Sequence, residues 1–186
     1  MLRKTALTLA LACSLPAAAD DALLAEARSV AGAVPPKLLE VLAAEIAKGG
    51  PENAIGICRE KAPAMARAAS ERTGWAIRRV SLKNRNPKAA PDAWEQAALE
   101  EFDRRAAAGE KPSGLEKGEA VAADGKPVYR YIKALPTLEL CVQCHGPVDT
   151  LAPGVRARLA ELYPDDKATG FNVGTIRGAI TIKKPM

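Results

Sequence analysis

Histidine is nearly missing from this chain: its 186 residues include one, His145. Any metal centre therefore receives at most one imidazole. Aromatic residues are scarce too, at 4% of the sequence, so the side chains that usually supply bulk to a core are few. No apolar run reaches the roughly 20 residues that a bilayer-spanning helix needs. Internal repeats and low-complexity tracts are absent. Charge of one sign is not concentrated either: 27 Lys and Arg stand against 22 Asp and Glu, interspersed along the chain. That balance predicts neither nucleic-acid binding nor strong attraction to a membrane surface.

What is present begins at the N-terminus. Arg3 and Lys4 precede the apolar stretch Ala6 to Leu15, Pro16 interrupts it, and Ala17-Ala18-Ala19 leads into Asp20 and Asp21. A positive start, a short apolar stretch and a small-residue site make up a secretory signal. Its competitor, a helical start to the mature domain, fits these flanks less well. A lipoprotein reading would acylate Cys13, but Ala10-Leu11-Ala12 is a poor lipobox. Residues 1–19 are thus expected to be a signal peptide cleaved after Ala19, and residues 20–186 a single periplasmic domain without a membrane span. The 167 residues left by removing 19 from 186 suit one domain of ordinary size. Such a domain buries roughly 70% of its unfolded surface, enough for a core without disulfide staples. Loss of Arg3 and Lys4 from an acid-free segment takes the net charge from +5 to +3.

Of four cysteines, Cys13 leaves with the signal, Cys141 and Cys144 belong to Cys141-Val142-Gln143-Cys144-His145, and Cys58 stands alone. The C-x-x-C-H spacing is that of c-type haem attachment. Both thiols add across the haem vinyl groups from one helical turn, and the adjacent imidazole turns beneath the ring to ligate iron. One covalent haem c on Cys141, Cys144 and His145 is expected. Its planar bulk would replace core volume that aromatic side chains usually provide, and its two propionates would bring the net charge close to +1. Two other readings compete. A thioredoxin-like pair lacks a surrounding βαβ pattern and gives His145 no place. A zinc site from Cys58, Cys141, Cys144 and His145 has the right donor types, but adjacent Cys144 and His145 form an awkward bite on one tetrahedral ion.

A single histidine excludes bis-histidine ligation. The far face of the iron is left to Met65, Met186, Cys58, a lysine or no residue. Met186 is terminal and costly to order. Met65 lies seven residues from Cys58, so the two share a helix face. A lone thiol in an oxidising compartment is a liability unless it is buried or used, and burial as a small hydrophobe is the commonest fate of a free cysteine.

The remaining pattern reads as α+β. Residues 21–33 are expected to form a helix stopped by Val34-Pro35-Pro36, and a second runs from about Pro36 to Lys48, ended by Gly49-Gly50. Pro51 opens a third, with Ile55, Cys58, Ala62, Met65 and Ala69 along one stripe, bent near Pro63. Trp75 to Leu82 alternates as a strand, and a helix begins at Pro91-Asp92-Ala93-Trp94-Glu95 and ends near Gly109. Glu119 to Ala123 and Val128 to Lys133 flank Asp124-Gly125, a hairpin signal. The Cys-x-x-Cys-His segment follows Pro136 on a short helix, Pro153 to Leu162 is a last helix, and Arg177 to Lys183 closes the sheet.

Several segments resemble a known family. They are Cys58-Arg59-Glu60-Lys61-Ala62-Pro63, Ser81 to Pro87, Pro91 to Glu95, Cys141 to Gly146, Tyr163 to Phe171, and Arg177-Gly178-Ala179-Ile180. In this order they are similar to single-haem c-type cytochrome domains with a PAS-like sheet, found alone or as extracytoplasmic sensor domains of histidine kinases. The resemblance covers nearly all of residues 20–186. It implies a PAS-like antiparallel sheet flanked by N-terminal helices, and it implies that Cys58 is the second axial ligand, giving His/Cys coordination. Unlike the sensor members, this chain runs to Met186 without a transmembrane helix or kinase, which puts direct signal transduction in doubt.

A thiolate donor favours Fe(III) and places the potential below that of a His/Met cytochrome. Low-potential electron transfer or redox sensing is the expected function, and sensing of a small diatomic gas by exchange of the Cys58 ligand is the alternative. A redox partner protein, a diatomic ligand and a homodimer through the N-terminal helices are all compatible with the sequence. A blocked sixth position and the lack of a distal histidine argue against peroxidase-like catalysis. Lys83 and Arg85 are the expected propionate anchors as charge-assisted donors, with solvated loop charges as the competing reading. Tyr129, Tyr131 and Phe171 are candidates for packing on the ring edge or in the core.

Overall fold

A computed structural model describes residues 16–186. Most of the expected signal, residues 1–15 with Cys13, lies outside these described residues. Among the described residues, four α-helices and four strands frame the fold, with three short 3-10 turns between them: α1 (Pro16–Thr73), β1 (Ala76–Val80), α2 (Ala93–Ala107), β2 (Glu116–Ala123), β3 (Lys126–Pro136), α3 (Glu139–His145), α4 (Pro153–Leu162) and β4 (Ile176–Pro185). No described helix is long and apolar enough to cross a membrane.

Two arms, residues 16–48 and 51–73, form α1, and only Gly49 and Gly50 depart from helical dihedrals between them. Gly50 has φ 77° and ψ 172°, a conformation that needs a residue without Cβ. Pro51 then starts the second arm at a position where its missing N–H costs nothing. The arms fold back on each other: Ala27 and Ala31 of the first pack in one cluster with Ala69 of the second, and Lys61 pairs with Glu45 at 3.1 Å.

The expected stop at Val34-Pro35-Pro36 does not occur, and the helix continues through both prolines. Proline's fixed φ of about −65° lies inside the helical range, so each ring costs a hydrogen bond rather than a dihedral. Packing on both sides, at Ala31 and at the Glu45–Lys61 pair, holds the helix across the gap. Pro63 likewise stays within helical dihedrals. Its missing N–H leaves the Arg59 carbonyl, next to Cys58, without a helix donor.

The sheet is fully antiparallel in the order β1-β4-β3-β2. Asp124 (φ 50°) and Gly125 (φ 74°) turn β2 into β3 as a two-residue hairpin with Ala123 opposite Lys126. Both faces are covered. Trp75, Ile77, Tyr129, Tyr131, Ile180 and Ile182 meet α1. Val80, Ile132, Ala134 and Ala179 meet Ala98, Leu99 and Phe102 of α2, with Leu115. A third, smaller cluster joins Ile55 of α1 to Leu151, Val155 and Leu159 around α4. The helix and antiparallel sheet agree with the α+β expectation.

Two local devices fix the elements that frame the site. Asp92 and Glu95 form a reciprocal capping box at the start of α2, with Oδ1 of Asp92 accepting from the Glu95 amide at 3.0 Å. The Glu95 carboxylate, 3% exposed, also meets Arg78 at 2.9 Å and Arg130 at 3.3 Å. In β4, Leu135 faces Gly178 while Pro136 faces Ile176, so Arg177 is the extra residue of a β-bulge. Gly178 has φ 147°, and a Cβ there would lie 2.4 Å from the Val80 carbonyl oxygen.

Two stability predictions follow from these devices. Asp92→Ala should cost about 1 kcal/mol as a lost cap. Glu95→Ala should cost about 2 kcal/mol, since it removes the carboxylate partner of Arg78 and the reciprocal half of the cap, while Arg130 keeps Asp92 at 2.7 Å. Urea unfolding checks the order, and equal losses would reject the buried pairing. Gly178→Ala should cost about 2 kcal/mol from the strained φ and the clash, and an unchanged midpoint would show that the bulge relaxes freely.

Candidate functional site

The Cys-x-x-Cys-His segment occupies α3, so Cys141, Cys144 and His145 lie at i, i+3 and i+4 on one helix face. The chain leaves the helix at once and bonds to the 166–171 segment. The Gly170 amide donates to Gly146 O at 2.8 Å, and the Phe171 amide to His145 O at 2.9 Å. His145 Nδ1 lies 2.7 Å from the Ala168 carbonyl. A carbonyl only accepts, so Nδ1 carries the proton and Nε2 presents its lone pair. Arg177 Nη2 approaches that Nε2 at 3.5 Å, consistent with the same tautomer. Burial, then the positive charges of Arg177 and Arg85, hold the imidazole pKa well below its ordinary value, so the ring is neutral and able to ligate.

Arg85 ties this corner together. Its Nε meets Asp166 at 3.0 Å, and one Nη donates to the carbonyls of Cys144 at 2.6 Å and Ala168 at 3.3 Å. Asp166 Oδ1 in turn accepts from the Ala168 amide at 2.8 Å. The Ser81–Pro87 loop, the end of α3 and the 166–171 segment are thereby one unit. Phe171 stands edge-on to His145 at 6.4 Å, with Arg177 at 5.0 Å and Lys83 Nζ at 5.4 Å from its ring centre.

Cys58 reaches this region from the second arm of α1. Its half-buried thiol is pushed up in pKa by burial, against the opposing charges of Arg79 and Arg85. Cys144 is pushed up to about 11, again by burial and against Arg85. Its Sγ faces the Pro51 carbonyl at 3.9 Å. Cys58, Cys141 and Cys144 are all free thiols. Among the described residues no three His, Cys, Asp or Glu side chains gather around one point as a metal-ion cluster.

Two further arginines lie at the site: Arg79, which the sequence did not single out, and Arg177, noted there only as the start of a strand and of a resembling segment. Arg79, in β1, keeps exposed surface and lies within electrostatic reach of Cys141 and Cys58, so it edges the corner that holds these thiols. Burial lowers its pKa, and Cys141 and Cys58 act in the opposite direction. Arg177 is 8% exposed. Its Nη1 has only long contacts, to Ser81 Oγ at 3.3 Å and Lys83 O at 3.5 Å, and its Nε has none. Burial, then Arg79 and Arg85, push its pKa down to about 9.

Other expected residues lie elsewhere. Tyr129 and Tyr131 are core residues beneath α1, with Tyr129 edge-on to Trp75 at 6.2 Å and the Tyr131 hydroxyl donating to Glu116 at 2.6 Å. Met186 follows the far end of β4, its amide on Pro127 O at 3.1 Å. Arg177, the second residue of β4, lies at the opposite end of that strand. Met65 sits half-buried on α1, two turns beyond Cys58.

Comparison with known proteins follows this geometry. No curated protein matches the chain. Among solved structures, the crystal structure of the cyanobacterial haem protein Tll0287 matches with a TM-score of 0.55 and 27% identity, over 69% of this chain and 71% of that one. The Tll0287-like profile matches residues 17–185, which hold every residue of the corner described above; the chain belongs to the Tll0287-like family.

Proposed function

We propose that this chain is an exported c-type cytochrome with a PAS-like domain. It would carry one haem, bound covalently through Cys141 and Cys144, with His145 and Cys58 as axial ligands. Low-potential electron transfer or redox sensing would be its function. The observation that carries this reading is the His145 side chain, which has its Nδ1 proton committed to the Ala168 carbonyl and its Nε2 met by nothing closer than Arg177 at 3.5 Å, on the helix turn that carries the free thiols of Cys141 and Cys144. A metal-ligating imidazole is usually oriented by such a second bond. The family relation to a haem protein supports the same cofactor.

The surroundings fit a planar, partly apolar group. The two sheet faces are filled by Trp75, Tyr131, Phe102 and Leu99, whereas among the largest fully buried side chains only Val155 comes from the cluster beside Cys144. Core bulk is thus short on the side that carries Cys58, Cys141, Cys144 and His145. The group would supply one-electron chemistry at its iron. The chain would hold it by two thioethers, keep the His145 tautomer fixed, and present Cys58 from a helix anchored at Ile55 and Ala69. A thiolate donor favours the oxidised metal, which is the basis for a low potential.

Two measurements test this reading. After export in a host with c-type maturation, haem should stay with the polypeptide on denaturation, and Cys141→Ser with Cys144→Ser should abolish that retention. Haem extracted freely from the wild type would reject covalent attachment. Oxidised wild type should give a low-spin thiolate signature in EPR that Cys58→Ala loses. Spectra unchanged by the substitution would make Cys58 a packing residue and turn attention to Met65 or an open iron site. An open site would favour the diatomic-gas alternative.

A further inference from the structure

The corner around His145 holds a surplus of positive charge that no side chain relieves. Arg79 and Arg85 both act on Arg177, and Arg79 and Arg177 both lie within electrostatic reach of Cys141. One carboxylate, Asp166, is available to them, and Arg85 occupies it. Among the described residues neither Arg79 nor Arg177 forms an ion pair. Residues 1–15 contain no Asp or Glu that could serve. A guanidinium group taken out of water without a partner is expensive. Arg177 shows that cost plainly, being more than nine-tenths buried with Nε unpaired and with Asp166 acting on it only from a distance, without an ion pair. The β-bulge at Arg177 is also the kind of feature that re-aims a side chain at a site.

We propose that Arg79 and Arg177 are the residues that receive the two carboxylates of the bound group, one from the exposed edge of this corner and one from its buried side. The inference rests on the haem reading above, whose cofactor carries two propionates. A guanidinium offers a planar fork matched to a carboxylate, which a lysine does not. Arg85 has its Nε and one Nη committed to Asp166, Cys144 O and Ala168 O, so its role is to brace the loops. Lys83 stands over Phe171. The dianion would cancel the charge that Arg79 and Arg177 leave uncompensated, so loading the site also removes a folding penalty.

Resonance Raman spectroscopy of the holoprotein tests this, because propionate bending bands report hydrogen bonds to the carboxylates while other bands report iron ligation. Arg79→Gln and Arg177→Gln should each shift the propionate bands and leave the ligation bands in place. Each should also lower the reduced-to-oxidised ratio at a fixed potential by about tenfold, equivalent to ~59 mV for one electron. Should Arg177→Gln fail to accumulate, Arg177→Lys keeps the charge, loses the fork and should shift the same bands. Propionate bands identical to wild type in the arginine variants overturn the proposal, as does a shift caused by Lys83→Gln alone. Altered ligation bands with unchanged propionate bands would reduce Arg177 to a positioning residue for His145. Haem present but propionates unaffected defeats this inference alone, whereas wild type without haem defeats the underlying reading as well.

Discussion

The hydrogen bond between His145 Nδ1 and the Ala168 carbonyl, at 2.7 Å, sets the chemistry of the whole corner. It fixes one tautomer, aims Nε2 into the site, and makes the position of a backbone carbonyl in a loop the determinant of a side chain on α3. That carbonyl has to be held still. Asp166 does so by capping the Ala168 amide, and Arg85 does so by gripping both Asp166 and the Ala168 carbonyl while reaching the carbonyl of Cys144. The segments Ser81–Pro87 and Tyr163–Phe171 are therefore parts of one device, and Arg85 is its centre. The pair Arg85–Asp166 is mostly shielded, with both side chains near one-tenth exposed. It belongs to the class of ion pairs whose disruption leaves an uncompensated charge.

Patterns with a short period were legible in the sequence. Asp-Gly between alternating residues gave the β2–β3 hairpin, Asp92 with Glu95 three residues on gave the start of α2, and five consecutive residues gave the composition of α3. The long first helix was misjudged at Pro35-Pro36 because what carries it through is contact with distant residues: Ala69 and Lys61 meet it from the other arm. Local propensity has no access to that information. The aromatic tyrosines were ambiguous for a related reason. Tyr129 and Tyr131 sit on the strand face that meets α1, and which face meets which helix is a tertiary fact.

The site was legible in its donors and hidden in its charges. Cys58 emerged because it was the one thiol left unassigned. Arg79 did not, because Ile77-Arg78-Arg79-Val80 reads as a strand with solvent-facing arginines, and that is true of Arg78, which reaches Glu95 from the other face. Arg177 was concealed by the bulge: strict alternation would place it with Ala179 on the α2 side, whereas the extra residue turns it toward Ser81 and His145. Irregularities in a strand leave no periodic signal, and here the irregular residue is the buried arginine beside His145.

Under the proposed function, charge and ligand set would pull the iron in opposite directions, and their balance would bear on function. A thiolate from Cys58 favours the oxidised metal, whereas unpaired guanidinium groups nearby favour the reduced one. Were Arg79 and Arg177 left bare, their field would offset much of the thiolate's effect in so poorly screened a place. Paired with two carboxylates, they become close to neutral at a distance, and the thiolate dominates. The proposed seating of the propionates and the proposed low potential are thus one electrostatic argument. On that proposal, the arginines that would neutralise the cofactor's edge would also let an axial Cys58 thiolate set the potential.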